Sequence, residues 1–506
     1  MKAPLFDRRE FIAAAGCSTA ALLSGGPRNL LASAPEIAVD LAHDPLRPEY
    51  HLLPPHNWMN DPNGPLWWKG QYHLFYQTNP GPVSGAKQWG HAVSEDMVHW
   101  RHRPIALTPT PGGPDGDGCW SGSAIVFDGV PTFLYAAVQS APLEQSTIRE
   151  GNPTLRETQM LATAEDDGLL RWEKLPNPVI AAPPTGLAVT GFRDPCPWHK
   201  ADGWYLGVGS GIRGVGGCVL LYRSQDLRHW EYLHPLIQGK ARTADSSNPV
   251  GSGEMWECPD FFPLGDRHCL LYSTEGKVYW TTGDYDARAH RYTPSRRGIL
   301  DQGAYYAPKS FLAPGNRRIL WGWITETRPE AEYVAAGWAG VMSLPRVLAV
   351  DADGQLTMAV ADEVEKLRGK EERFRVKAGT PLRLELPTLR RELHLGATGS
   401  LHAVTLRLLT SGNKAWELNL DVRGGKVHCG EREFPLPKSR PGEPALRLFL
   451  DGSVIEAFVG CSQTITSRVY AVKSGQTELE IAVDGEGVLE LTEWPLAAIS
   501  SDRLTT

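Results

Sequence analysis

The chain is 506 residues long, carries a net charge of -7, and is 42% hydrophobic and 22% charged. That length exceeds one hydrophobic core, so two folded units are expected; the weak negative charge excludes a broad basic face for nucleic acid, and past the N-terminus no apolar run is long enough for a membrane span. Abundant Gly (52), Pro (40) and Trp (17) favour tight turns and aromatic-lined clefts over long helices.

Residues 1–34 read as an address rather than as structure. Arg8 and Arg9 precede Phe11 and Ile12, an Ala/Gly/Leu run reaches Leu23, and Ala32-Ser33-Ala34 offers small residues to a signal peptidase. The pattern resembles a twin-arginine signal, with Asp7 where Ser or Thr is usual. It predicts a protein exported to the periplasm or beyond; an amphipathic N-terminal helix is the competing reading. Ala15-Gly16-Cys17 mimics a lipoprotein box behind an apolar stretch too short for one, which leaves lipidation of Cys17 as a minor alternative. Loss of the leader leaves an odd number of cysteines without paired spacing, so buried free thiols are expected. No Cys/His cluster has zinc spacing, and neither a metal nor a cofactor is expected.

From about residue 47 to 350 one unit recurs. A short apolar strand is followed by a second one that ends in Ser, Thr or Gly, then an acidic turn and an aromatic residue: Ser94-Glu95-Asp96 to Trp100, Thr163 through Asp166 to Trp172, Ser224-Gln225-Asp226 to Trp230, and Gly283-Asp284 to Tyr292. Strands are predicted before them at Tyr72 to Tyr76, Thr132 to Ala137, Trp204 to Val208 and Cys269 to Ser273, with a fifth at Ile319 to Trp323. Five four-stranded units describe a five-bladed β-propeller; the competing reading is a sandwich with coincidental turns. Asp61, Asp194 and Glu257 stand at nearly equal distances before Trp100, Trp230 and Tyr292. They therefore occupy similar places near the start of three innermost strands and converge on one axial pocket. Clustered acids are what separates pKa values into an acid and a base.

Past Arg346 the pattern changes. Ala361 to Arg368 reads as a short helical linker, and alternating runs such as Leu382 to Leu386, Val404 to Leu409, Trp416 to Val422, Leu446 to Leu450 and Leu479 to Val483 read as a β-sandwich. The expected organisation is all-β: a leader at 1–34, a propeller at 35–350, a linker at 351–370 and a sandwich at 371–506. Asp451, Ser453 and Glu456 are expected to fix a hairpin and the interdomain contact, with a sugar-binding or dimerising role as the alternative.

Three strings fall at blade spacing: Trp58-Met59-Asn60-Asp61-Pro62-Asn63-Gly64, Phe192-Arg193-Asp194-Pro195 and Met255-Trp256-Glu257-Cys258-Pro259-Asp260. Together with Cys119-Trp120-Ser121-Gly122-Ser123, Leu320-Trp321-Gly322-Trp323 and Asp451-Gly452-Ser453 they resemble glycoside hydrolase family 32, the invertases, inulinases and levanases. Several look closer to plant-type acid invertases than to intracellular bacterial sucrose enzymes.

The resemblance implies retaining hydrolysis of a small or polymeric fructoside, with sucrose, inulin or levan as candidates. Such chemistry needs two carboxyls about 5 to 5.5 Å apart. Asp61 is implied as nucleophile on the fructosyl C2, Glu257 as acid/base, and Asp194 as the acid that grips sugar hydroxyls as positive charge develops. Glu257 must be protonated at rest; Trp256, Cys258 and Pro259 hydrate it poorly, and the Asp61 charge favours its neutral form. Asn60, Gln77, Trp89 and Ser121 match positions around the fructose unit. Trp89 and Trp120 offer flat faces to the sugar, with blade core as the competing role. Arg193 is expected to clamp Asp194 or a hydroxyl, or to form a structural pair, and Asp301, Tyr305 and Trp323 are candidates for the rim.

The loop Gly81 to Gln88 lacks the aromatics many relatives carry, and Leu143 to Thr158 reads as a polar rim insertion. Chain-length preference is expected to reside in these loops. Fructosyl transfer and a catalytically silent fructan-binding protein are the alternatives. Arabinan-cleaving propellers also carry three acids but lack the string at Trp58 to Gly64. Oligomeric state is not readable from the sequence.

Overall fold

The computed structural model describes residues 41–81, 85–148, 154–240, 247–437, 444–472 and 476–501; the expected leader lies outside these described residues. Five innermost strands, Asn57–Trp68 (β1), Gly118–Phe127 (β2), Val189–Lys200 (β3), Glu257–Leu264 (β4) and Tyr305–Ala313 (β5), each open an antiparallel sheet that meanders outward. β1 packs on β2, β2 on β3, β3 on β4, β4 on β5, and β5 back on β1. That closed ring is a five-bladed β-propeller. The predicted apolar runs are the second strands of the blades, Gln71–Thr78, Val130–Ser140, Gly203–Ile212, Arg267–Thr274 and Arg317–Ile324.

The recurring turn has a physical basis. Asp96 Oδ1 accepts the N–H groups of Val98 and His99, and the Trp100 indole donates to the Met97 carbonyl at 3.0 Å. The same arrangement recurs at Asp226, where Arg228, His229 and Trp230 supply the donors, and at Asp166, where Gly168, Leu170 and Trp172 do. Met97, Leu169 and Leu227 adopt φ of 64, 56 and 61, an unfavourable region for branched or bulky side chains. All three are buried, and that burial offsets the strain. In the fourth blade the turn acid is Asp286, which accepts from Arg288 and Ala289; Asp284, named from the sequence, instead pairs with Arg267 on the neighbouring strand.

The first and last blades are clasped by Trp338–Ala339, which pairs parallel with Asn57 and Trp58 of β1. The only α-helix among the described residues, Glu330–Ala336, precedes this clasp and ends at Gly337 in the left-handed conformation. The fifth sheet continues through Arg346–Val350 and Leu356–Val360, past the expected boundary at 350. Asp351-Ala352-Asp353-Gly354 is a tight turn between these strands, where Asp351 Oδ1 accepts from Asp353 and Gln355, and its polar composition reads as a linker. A 3-10 helix, Asp362–Leu367, follows.

Two six-stranded antiparallel sheets then form a β-sandwich. One holds Glu372–Lys377, Val488–Pro495, Arg390–Thr398, Leu446–Asp451, Val454–Val459 and Gln463–Arg468; the other holds Leu382–Glu385, Thr477–Gly485, Leu401–Thr410, Asn413–Asp421, Lys426–Cys429 and Arg432–Pro435. Alternating residues such as Leu393, Leu406, Leu418, Leu448 and Ile481 fill the space between them. A second apolar cluster joins Phe449, Phe458 and Trp494 of the sandwich to Tyr72, Trp100, Phe311 and Trp321 of the first and fifth blades. Cys119, Cys196, Cys218, Cys258, Cys269 and Cys429 are buried thiols, and no helix among the described residues is long and apolar enough to cross a membrane.

Candidate active site

Each innermost strand carries a β-bulge at the same level of the ring. Two residues oppose one partner at Asn60-Asp61, Trp120-Ser121, Asp194-Pro195, Cys258-Pro259 and Ala307-Pro308. Such bulges bend a strand and re-aim its side chains, and a proline in or beside four of them gives up an N–H that the broken ladder leaves without a partner. Asp194, Cys258 and Ala307 sit at φ of 61, 47 and 49. The three acids are staggered by one residue along their strands: Asp61 is second in its bulge, Asp194 first, and Glu257 immediately before.

A closed ring of hydrogen bonds fixes Asp61. Asn60 Nδ2 donates to Asp61 Oδ1 at 2.9 Å and to Gln77 Oε1 at 2.7 Å; Gln77 Nε2 donates to Ser121 Oγ at 2.7 Å; Ser121 Oγ donates to Asp61 Oδ2 at 2.6 Å. The Asn60 amide is oriented from behind, because Oδ1 accepts from the Trp58 indole at 2.7 Å and from Lys87 Nζ at 3.2 Å.

Cys258 joins the acids of two other blades. Its N–H donates to Asp194 Oδ2 at 2.8 Å, and its sulfur lies 3.4 Å from Asp194 Oδ2 and 3.6 Å from Asp61 Oδ2. Burial first, and then Asp194, Asp61 and Glu257, push the thiol well up, so it remains an S–H donor. Glu257, wholly buried, accepts from Arg193 Nε and Nη2 on Oε1 at 3.2 and 2.9 Å and from the Tyr306 hydroxyl on Oε2 at 2.8 Å. Arg193, expected beside Asp194, thus spans Glu257 and a fourth acid, Glu157, which its Nη1 reaches at 2.7 Å. Beneath the acids Lys309 donates to the Pro259 carbonyl at 2.9 Å. Burial would push that ammonium down, yet Cys196, Asp260, Cys258 and Asp194 hold it above its usual range.

Asn60, Asp61, Gln77, Ser121, Arg193, Asp194 and Glu257 are therefore brought together. Trp120 is half-buried with Arg193 5.8 Å over its ring, and Trp323 is half-buried against Trp58, Tyr306 and Cys258. Three expected residues lie elsewhere. Trp89 is fully buried between Phe75 and Phe133, leaving no exposed face for a sugar, and its indole supports the β2 bulge through the Trp120 carbonyl. Asp301 accepts from Arg346, Gly303 and Thr466 at the contact with the sandwich, and Tyr305 is buried under the Arg346 guanidinium at 4.1 Å. Asp301 before β5 and Tyr305 at its first residue thus meet Arg346 at the contact with the sandwich.

Glu157, Tyr306, Lys87 and Lys309 were not singled out from the sequence. Glu157 fell within the expected rim insertion at Leu143 to Thr158, whose last residues instead belong to the strand Leu155–Ala164. Its face of that strand reads Leu155, Glu157, Gln159, Leu161 and Thr163, mixed enough that no alternation marks the acid.

Residues 51–359 match the family described as "Glycosyl hydrolases family 32 N-terminal domain", and residues 423–495 match "Glycosyl hydrolases family 32 C terminal". The chain is 34% identical to the sucrose-6-phosphate hydrolase of Escherichia coli over 84% of its own length and 89% of that protein's. It is 40% identical to a cell wall β-fructofuranosidase of Zea mays, over 67% of this chain and 59% of that one. Among solved structures, fructan 1-exohydrolase IIa of Cichorium intybus in complex with 1-kestose superimposes with a TM-score of 0.76 at 28% identity, covering 90% of this chain and 98% of the other.

Proposed function

The chain belongs to glycoside hydrolase family 32, and from that membership we propose that it hydrolyses β-fructofuranosidic bonds by double displacement, with Asp61, Asp194 and Glu257 around one fructose ring. Sucrose and short or polymeric fructans are the proposed substrates. The observation that carries the reading is the convergence of acids from three blades on Cys258: Asp61 and Asp194 both approach its sulfur, and Glu257 precedes it in the chain.

In the first half-reaction an Asp61 oxygen forms a bond to C2 while the bond from C2 to the leaving oxygen breaks and Glu257 gives that oxygen its proton. In the second, Glu257 takes a proton from water, the water oxygen bonds to C2, and Asp61 leaves as a carboxylate. Asn60 and Ser121 hold the Asp61 oxygens so that one lone pair faces the sugar. Asp194 grips ring hydroxyls more firmly as positive charge develops. Trp120 and Trp323 offer faces to the sugar C–H groups, and Lys87 borders the leaving-group side. We also propose that the protein is exported through the Arg8-Arg9 leader, in which case the exported protein begins after Ala34.

The test is product analysis with sucrose, inulin, levan and arabinan. Free fructose without longer oligomers, released first as the anomer of the substrate's configuration, is the expected result. Longer fructans would mark a transferase, and binding without turnover a silent protein. Asp61→Ala and Glu257→Ala are each expected to lose about 10³-fold or more in kcat while remaining folded, and near-normal turnover by either would end the assignment.

A further inference from the structure

Glu157 belongs to no recognisable motif, is wholly buried, and sits on the third strand of the second blade. Its Oε1 accepts from Arg193 Nη1 at 2.7 Å. Its Oε2 accepts from the Phe192 N–H at 2.6 Å and from the Thr147 hydroxyl at 3.0 Å. The opposite edge of the same guanidinium holds Glu257 Oε1 at 3.2 and 2.9 Å. One cation that stays charged at any working pH is therefore shared between two carboxyl groups from different blades.

That sharing bears on how Glu257 acts as an acid. A guanidinium at 2.9 Å favours the ionised carboxylate, and the Tyr306 hydroxyl and the Lys309 ammonium act in the same direction. The charges of Asp61 and Asp194 oppose them, and the Cys258 thiol is neutral. Arg193 is in direct contact with Glu257 through two N–H groups, so its effect is strong unless something offsets it. Glu157 is placed to offset it: paired with Glu157, Arg193 presents Glu257 with hydrogen-bond donors but little net charge.

We propose that Glu157 is a positioning residue that, through Arg193, keeps Glu257 protonated and so sets the alkaline limit of activity. The proposal rests on Glu257 being the acid/base.

The experiment measures kcat/KM for sucrose against pH. In Glu157→Gln the shape is kept and the charge removed; the alkaline limb, which reports the acid of the free enzyme, should fall by about one pH unit or more, while the acid limb stays in place. Arg193→Gln removes the cation, and its alkaline limb should rise. A folded Glu157→Gln enzyme with the wild-type alkaline limb overturns the proposal. If that variant does not fold, Arg193→Gln decides alone, and an unmoved or lowered limb overturns it. Glu257→Gln is run beside them: if it keeps full activity across the range, the acid/base assignment fails instead, so the two failures are told apart.

Discussion

At the scale of residues, the site is organised by small polar groups that leave the carboxylates little choice of rotamer. Ser121 carries the clearest case, since its hydroxyl accepts from Gln77 and donates to Asp61 Oδ2 at 2.6 Å. Ser121→Ala breaks the ring at two places and takes from Asp61 Oδ2 its 2.6 Å hydroxyl donor. A hydrogen bond to a charged group contributes about 1.5 to 3 kcal/mol, so kcat/KM should fall roughly ten- to a hundred-fold with the thermal midpoint nearly unchanged. Unaltered steady-state kinetics would show that the ring is not what orients Asp61. The three acids were legible in the sequence because their strings repeat at blade spacing. Trp89 was not, because a strand alternation says which residues share a face but not which face meets the axis. Glu157 and Tyr306 were not legible as site residues either: Glu157 reaches the site through Arg193 and Tyr306 bonds to Glu257, partners far away in the chain, and neither is marked by a turn or a repeat.

At the scale of elements, the recurring acid-to-tryptophan turn made the propeller readable, since each turn is a local device written in a few consecutive residues. The bulges were not readable, because register is a relation between two strands. The clasp at Trp338–Ala339 was likewise hidden, being too short to show any period. Its position depends on Gly340, which has φ of 78 and where an added Cβ would fall 1.8 Å from the Met59 carbonyl oxygen, next to Asn60. Gly340→Ala should therefore cost about 2 to 4 kcal/mol and displace the β1 bulge, lowering both thermal midpoint and kcat. Gly129→Ala is the matched control: it has φ of 77 with nothing within 4 Å of the added atom, so it carries the backbone strain alone and should keep full kcat. Equal loss of activity in the two variants would mean that the close approach to Met59 does not position the site.

At the scale of the whole molecule, the propeller and sandwich are joined by a buried charged knot. Asp451 accepts the N–H groups of Glu49, Tyr50 and His51 and the His51 ring Nδ1 at 2.8 Å, while His51 Nε2 meets Glu456 Oε1 at 3.0 Å. Arg346 completes the knot by binding Glu456 and Asp301. Burial alone would push the His51 imidazole down, yet hydrogen bonds to Asp451 and Glu456 lift it to about 9 from 6.5. Burial would likewise push Glu456 up, but Arg346 and His51 hold it at about 2 against 4.5. A group whose folded pKa is raised stabilises fully below its unfolded pKa and loses that contribution as pH rises through the folded one; for a depressed carboxyl the contribution is present above the unfolded pKa and lost as pH falls. The knot is therefore tightest between pH 4.5 and 6.5. Between 6.5 and 9 the His51 contribution, a few kcal/mol at most, should fade. Buried thiols also weaken the fold at the upper end of that range, but they do so equally in His51→Gln. The measurement is thus the difference in thermal midpoint between wild type and His51→Gln, which should be largest near pH 6 and shrink steadily toward pH 9. A difference that stays constant with pH would mean that His51 is neutral in the folded protein, and the two domains would then be held by hydrogen bonds and apolar packing without a cation at that position.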